Sequence, residues 1–329
     1  KLYKINSYNG LKLFAEKVNN GETTLNACLE CDIILEGNGS GLTEIENWIP
    51  IGKDKEHKYS GTFDGKDKTI KDLWSADDNA VGGLFGYIGE SGIVQNVSVE
   101  DSEIKGTDYV GGVCGCNDGQ IINCNNLGKV SGSVYVGGVC GLNNGQIINC
   151  NNRGIVSDLV LNIVERGAGF VGGVCGHNGG TMMECHNEMN ISGLAEIMGG
   201  VCGNNNGLIE KCYNEGEVNA RCAFIGGVCG GNVGGNLVGN LVNCYNTGSV
   251  KGNSINDEKH DSCVVGGVCG SSECEAERDD AAIQNCYNTG NVSGDNSVGG
   301  VCGKTDTEKR KIENCYYNEE TCGEKIVAI

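Results

Sequence analysis

The strongest constraint on this chain is that it repeats. A Gly-Gly pair followed by an apolar residue recurs at Gly82, Gly111, Gly137, Gly172, Gly199, Gly226, Gly266 and Gly299, at intervals of 29, 26, 35, 27, 27, 40 and 33 residues. The shortest intervals cluster at 26–27 and the longer ones carry insertions, so residues 81–322 read as about eight copies of one unit. A unit this small cannot bury an apolar face alone. Its neighbours must complete the core.

Aligned on its second cysteine, each copy shows which positions face inward. That column reads Val97, Cys124, Cys150, Cys185, Cys212, Cys244, Cys286 and Cys315, and the column three residues earlier is apolar throughout, from Val94 to Ile312. Six residues after the cysteine stand Val130, Val156, Ile191, Val218, Val250 and Val292, and the Gly-Gly segment adds Val113 to Val301. Each unit thus offers three short apolar segments, of the form VGGVCG, IINC and GKVSG, parted by Asn and Gly. Helical periodicity is absent, and β-branched runs between turn formers read as strands. The pattern predicts an all-β chain, a three-sided parallel β-solenoid (a right-handed β-helix, as parallel crossovers are). Each strand would pair with its copies roughly 4.8 Å above and below.

Composition narrows the alternatives. Glycine is 56 of 329 residues but follows no three-residue period, and proline occurs once, so a collagen helix fails. With 39% hydrophobic residues the chain can bury a core, but only 5% are aromatic, so that core must be thin. A net charge of −19 argues against nucleic acid or an anionic membrane as partner. No stretch approaches the roughly 18 apolar residues of a membrane span. The chain begins at Lys1 without a signal-peptide pattern, which suggests a piece of a longer protein.

Residues 1–80 read as an N-terminal cap and 81–329 as the repeat solenoid. In "NGLKLFAEKVNNG", Leu11, Phe14, Ala15 and Val18 fall at helical spacing, and Asn20-Gly21 is a stop. Such an amphipathic helix would cover the open end of the first coil, where bare strand edges invite aggregation. Residues 24–75 read as irregular leading coils.

The repeat "VGGVCGLNNGQIINCNNRGIVS" and its sisters resemble the GLUG repeat of bacterial cell-surface proteins, of approximate form VGGLVG…IENCYxTGxVxG. The leader "SYNGLKLFAEKVNNG…WIPIG…YSGTFDGKDKTIKDL" is similar to the segment that often precedes such repeats. GLUG repeats also occur in the non-catalytic region of bacterial immunoglobulin A1 zinc peptidases. The resemblance implies architecture and an extracellular, cell-surface location, with no single activity attached. The chain departs from the family in its first Cys column, where Val or Ala is usual. Its four histidines (His57, His177, His186, His260) form no HExxH, so the resemblance implies no peptidase site here.

Several constellations bear on chemistry. The first Cys column (Cys114, Cys140, Cys175, Cys202, Cys229, Cys269, Cys302) and the second stand ten residues apart in four copies. That spacing does not converge four ligands on a metal, and Phe85 and Val97 in the first copy point to packing. Stacked copies would bring equivalent cysteines within disulfide range, although parallel side chains fit the bond poorly, which favours reduced thiols. Cys28-Leu-Glu-Cys31 reads as structural, with a local disulfide as the rival. Asn126, Asn152, Asn187, Asn214, Asn246 and Asn288 suggest an inward hydrogen-bonded ladder. One residue after the second Cys run Asn125, Asn151, His186, Tyr213, Tyr245, Tyr287 and Tyr316. A tyrosine row at coil spacing would either stack upon itself or meet sugar rings. Glu273, Glu275, Glu277, Asp279 and Asp280 crowd one insertion, where a charge run is ordinarily solvated.

The insertions themselves fall at two turns: around 231–240, 271–281 and 304–311 at one, near 157–170 and 251–264 at the other. Loops of this kind build the binding face of many repeat scaffolds. The candidate ligand-binding edge is therefore Tyr213, Tyr245, Tyr287 and Tyr316 with Glu273, Glu275, Asp279 and Asp280, and no catalytic, cofactor or metal site is assigned. The expected function is a non-enzymatic, adhesin-like module or stalk facing host glycan or extracellular protein. A polysaccharide lyase or hydrolase, needing paired carboxylates on one face, and a spacer for a larger surface peptidase are the alternatives.

Overall fold

Every copy of the repeat lays down short strands that pair, in parallel, with the same strands of the copies before and after. The computed structural model describes residues 2–35, 47–75, 81–158, 168–221, 223–232, 239–253, 263–273, 281–306, 310–322 and 326–328. In the copy at 135–158 the strands are Tyr135–Gly137, Cys140–Asn143, Gln146–Ile148, Asn151–Asn152 and Ile155–Asp158. The Cys strands build a sheet of eight, from Phe85–Ile88 to Cys302–Thr305. Cys114 lies opposite Cys140, Cys140 opposite Cys175, and the register holds without a slip to Cys302. The fold is a parallel β-solenoid, with one short helix among the described residues.

The VGGVCG segment forms two strands in different sheets. Tyr135–Gly137 pairs with Tyr109–Gly111, whereas Cys140–Asn143 pairs with Cys114–Asn117. Glycine makes this elbow possible. A methyl group at Gly138 would overlap the Asn152 side chain and the Gly173 carbonyl. A second corner precedes the second Cys column, where Asn96, Asn123, Asn149, Glu184, Lys211, Asn243, Asn285 and Asn314 all take φ between 51° and 57°. Asparagine tolerates this left-handed region better than other residues with a Cβ, which is why it dominates the column.

Between the faces lies a narrow core of Val, Ile and Cys, with Val139, Cys140, Ile147 and Cys150 all fully buried. Two buried asparagine ladders flank it. Asn126 Nδ2 donates to Asn152 Oδ1 at 2.8 Å, and the chain of amides continues through Asn187, Asn214 and Asn246 to Asn288. The second ladder runs Asn117, Asn143, Asn178, Asn205 and Asn232, at 2.7–2.9 Å. Apart from Asn232, which turns to Ser272 Oγ and the Ala282 carbonyl, each side chain also bonds a turn carbonyl two residues on, as Asn152 does to Gly154, so buried amides at the bends are satisfied.

The aromatic residues of the core gather at the N-terminal end. Helix α1 (Tyr8–Asn19) is capped by Ser7, whose Oγ accepts from Gly10 N at 3.2 Å, and buries Leu11, Phe14, Ala15 and Val18. Phe14 meets Tyr59 and Phe63, and both of these meet Phe85 of the first Cys-sheet strand. At the helix end, Asn19 is buried, donating to the Pro50 carbonyl and accepting from Gly52 and Lys53 N–H. That residue ties the WIPIG segment to the helix.

Candidate functional site

The row one residue beyond the second cysteine is in register. Asn125, Asn151, His186, Tyr213, Tyr245, Tyr287 and Tyr316 lie opposite one another in turn. Ring centroids from His186 to Tyr287 follow at 4.7, 4.7 and 5.0 Å, with planes 3°, 2° and 4° apart. The rings spend their faces on one another and present edges and hydroxyls outward. Exposure grows along the row, to 41% at Tyr287 and 69% at Tyr316. Partial burial pushes the Tyr213 and Tyr245 phenols up, so both stay neutral donors. At the other end, Glu188 accepts from Arg153 Nη2 at 2.8 Å and lies 3.0 Å from His186 Nε2. The guanidinium beside it, with the imidazole, holds this carboxyl below the usual carboxylate range.

Glu273 stands elsewhere. It follows the strand Cys269–Ser272, binds Lys304 Nζ at 2.8 Å and accepts from Ser271 Oγ. The strand Ala281–Gln284 and the left-handed corner at Asn285 separate it from Tyr287. Glu275, Glu277, Asp279 and Asp280 lie outside the described residues, as do the centres of the insertions. Their flanks confirm a shared corner: three of the insertions leave the Cys strands and return to Asn240–Val242, Ala281–Gln284 and Lys311–Glu313.

The cysteines of the two repeat columns pack in the core. Among the described residues none is in a disulfide. Burial pushes the Cys140, Cys150, Cys202 and Cys212 thiols well up, which keeps them protonated and poor nucleophiles; at Cys175, Cys185 and Cys229 burial acts the same way, but hydrogen bonds from the neighbouring thiols outweigh it and draw the proton affinity down. Cys28 donates to Glu30 and Cys31 to the Asn6 carbonyl, so the CxxC thiols point to different partners. No group of three or more metal-ligating side chains occurs among the described residues.

A second surface feature escapes the repeat alignment. Outward residues of the Tyr-Val-Gly strands (Val81, Tyr109, Tyr135, Phe170, Ile197, Phe224) line one side of the elbow. The residue two after the first Cys lines the other: Tyr87, Cys116, Leu142, His177, Asn204. These columns pack against each other in a seam parallel to the solenoid axis. Val81, Tyr87 and Cys116 form an apolar cluster there, apart from the main core, with Tyr109 and Leu142 against it. Further up, His177 packs 5.5 Å from Tyr135 and 5.7 Å from Phe170. The signal was the aromatic before VGG in "YVGG", "YVGG", "FVGG".

No family model matches the chain. A stretch of 136 residues, 39% of the chain, is 28% identical to halomucin of Haloquadratum walsbyi, and covers 1% of that protein's length. Among solved structures, a Bacteroides ovatus protein provisionally assigned as an immunoglobulin A1 protease matches with a TM-score of 0.65 at 21% identity, over 84% of each chain. At that identity the likeness speaks for the fold. No helix among the described residues is long and apolar enough to cross a membrane.

Proposed function

We propose that this chain is an extracellular, non-enzymatic segment of a bacterial surface protein of GLUG type. It acts as an adhesin-like binding module towards host glycan or protein. The observation that carries the reading is the outward aromatic row, in register over four coils and increasingly exposed towards Tyr316. A surface row of neutral phenol edges suits a wet, hydroxyl-rich ligand. The insertions supply a second, variable edge at one corner. The resemblance of the repeats to surface proteins supports the location, and the likenesses to halomucin and to an immunoglobulin A1 protease agree with it.

Screening the chain on a glycan array and on immobilised host glycoproteins tests this. The expected result is binding that Tyr245→Ser with Tyr287→Ser weakens about tenfold. Release of reducing sugar or unsaturated product from a polysaccharide would overturn the non-enzymatic part. Binding to neither panel would reduce the chain to a stalk.

A further inference from the structure

We infer that the tyrosine row binds an uncharged, extended sugar chain laid along the solenoid axis, one sugar to each coil from Tyr213 to Tyr316. This rests on the reading that the row is a glycan-binding surface, and it names the class and direction of the ligand.

Pitch is the first argument. The rings of His186, Tyr213, Tyr245 and Tyr287 follow one another at 4.7, 4.7 and 5.0 Å, and Tyr316 lies opposite Tyr287 in the backbone register. With their faces stacked, the rings can offer a ligand only edges and hydroxyls. A ligand that uses several of them must therefore carry polar groups at the same interval. A hexopyranose chain joined by equatorial 1,4 bonds is a flat ribbon with hydroxyls along both edges. It advances per sugar by nearly the interval between paired strands, about 4.8 Å. An α-1,4 or a β-1,3 chain coils instead, and its hydroxyls leave the row within a few sugars.

Charge is the second argument. The chain carries −19, yet residues 240–250 and 282–292, which hold Tyr245 and Tyr287, include no charged side chain. Asn243 and Thr247 flank Tyr245, Asn285 and Thr289 flank Tyr287, and all four are exposed. Asn285 Nδ2 donates to Asn243 Oδ1 at 3.2 Å, which leaves further donors and acceptors on both amides for sugar hydroxyls. Carboxylates bound this patch, Glu215 in the coil before and Glu313 in the coil after. A uronate or sulfated chain spanning the row would be repelled at both ends, whereas a neutral one meets amides, hydroxyls and phenols.

Repetition here takes the place of enclosure. Once one sugar meets one phenol, the next sugar already lies beside the next phenol, so each further contact is intramolecular. A single neutral hydrogen bond is weak. Affinity must accumulate along the row.

Calorimetric titration of the chain with cello-, manno- and chito-oligosaccharides of two to six sugars tests this, with maltohexaose, laminarihexaose and a hyaluronan hexasaccharide as controls. At least one of the three series should bind with an affinity that climbs with each sugar to four and then levels. Its hexamer should bind about tenfold or more tightly than any control. Tyr245→Phe and Tyr287→Phe keep the ring stack and lose one hydroxyl each, so both should fold, which thermal melts check. Each should weaken binding of the hexamer about three- to tenfold. Tyr316→Ala, at the exposed end, should move the plateau from four sugars to three. Affinity that stops growing at two sugars, a plateau unmoved in Tyr316→Ala, or indifference to both Phe variants would overturn the axial ligand. So would equal or tighter binding of any control. Each of these outcomes leaves the wider glycan reading standing. Binding to none of these ligands overturns the axial ligand too, and the glycan array then decides the wider reading on its own.

Discussion

At the second cysteine column the backbone N–H of Cys124 donates to Cys150 Sγ at 3.4 Å, and Cys185, Cys244 and Cys286 do the same to the next coil's sulfur. Each sulfur also donates to a carbonyl two residues back, as Cys150 does to Ile148. The first column differs, because Cys140 N–H already has the Val174 carbonyl. Valine should therefore replace Cys140 at a cost under about 1 kcal/mol, whereas Cys150→Val strands a buried N–H and should cost about 1–2 kcal/mol more. Urea titration of the two variants checks this, and equal costs would refute it. Sequence alone made both columns look like packing, since Phe85 and Val97 stand in the same registers. The sulfur's role as an acceptor was illegible, because it depends on the left-handed corner one residue before it.

Among elements, the left-handed corner is the most regular and the least obvious from the sequence. Its residues, Asn in most copies, look merely polar in an alignment. Two copies break the rule with Glu184 and Lys211, which pair at 3.6 Å across exposed side chains. Such a pair contributes little, while a residue other than Gly, Asn or Asp strains this region. Lys211→Asn should thus raise stability by about 0.5–1 kcal/mol; a lower melting temperature would sink the argument. The strands and α1 were legible because apolar periodicity reports burial directly. The elbow was not. Cys140 belongs to the core while Leu142, two residues on, packs on the outer cluster. Strict alternation breaks at Gly141, and counting by twos misses both the seam and the Asn117-to-Asn232 ladder. The tyrosine row was legible as a column, but not that its ring faces would be used up internally.

For the whole molecule, a core rich in buried thiols fixes how stability answers to alkali. The folded state keeps Cys140, Cys150, Cys202 and Cys212 protonated by burial, their affinity for the proton raised above that of the unfolded chain. The unfolded chain ionises near pH 8.5, so this stability is fully present below that pH and is lost as pH rises towards the folded values. Each such thiol contributes a slope of about 1.4 kcal/mol per pH unit. Cys175, Cys185 and Cys229, drawn the other way by hydrogen bonds from their neighbours, contribute with the opposite sign, so denaturant midpoints should stay level from roughly pH 7 to 8 and fall gently above roughly pH 9, with Cys140→Val plus Cys202→Val making the fall shallower. A level profile to roughly pH 10 would contradict it. Alkylation of the unfolded chain without reductant, read by mass spectrometry, measures the thiol inventory on which this depends.

The aromatic row has one more consequence. Along the chain, its members from His186 to Tyr316 are separated by 27, 32, 42 and 29 residues. In space the first four rings keep a pitch of 4.7–5.0 Å. The pitch belongs to the backbone hydrogen bonds, and the corners absorb every difference in length. The molecule is thus a ruler with even marks on an uneven tape. Its loops are free to lengthen, shorten and change character without moving a single mark.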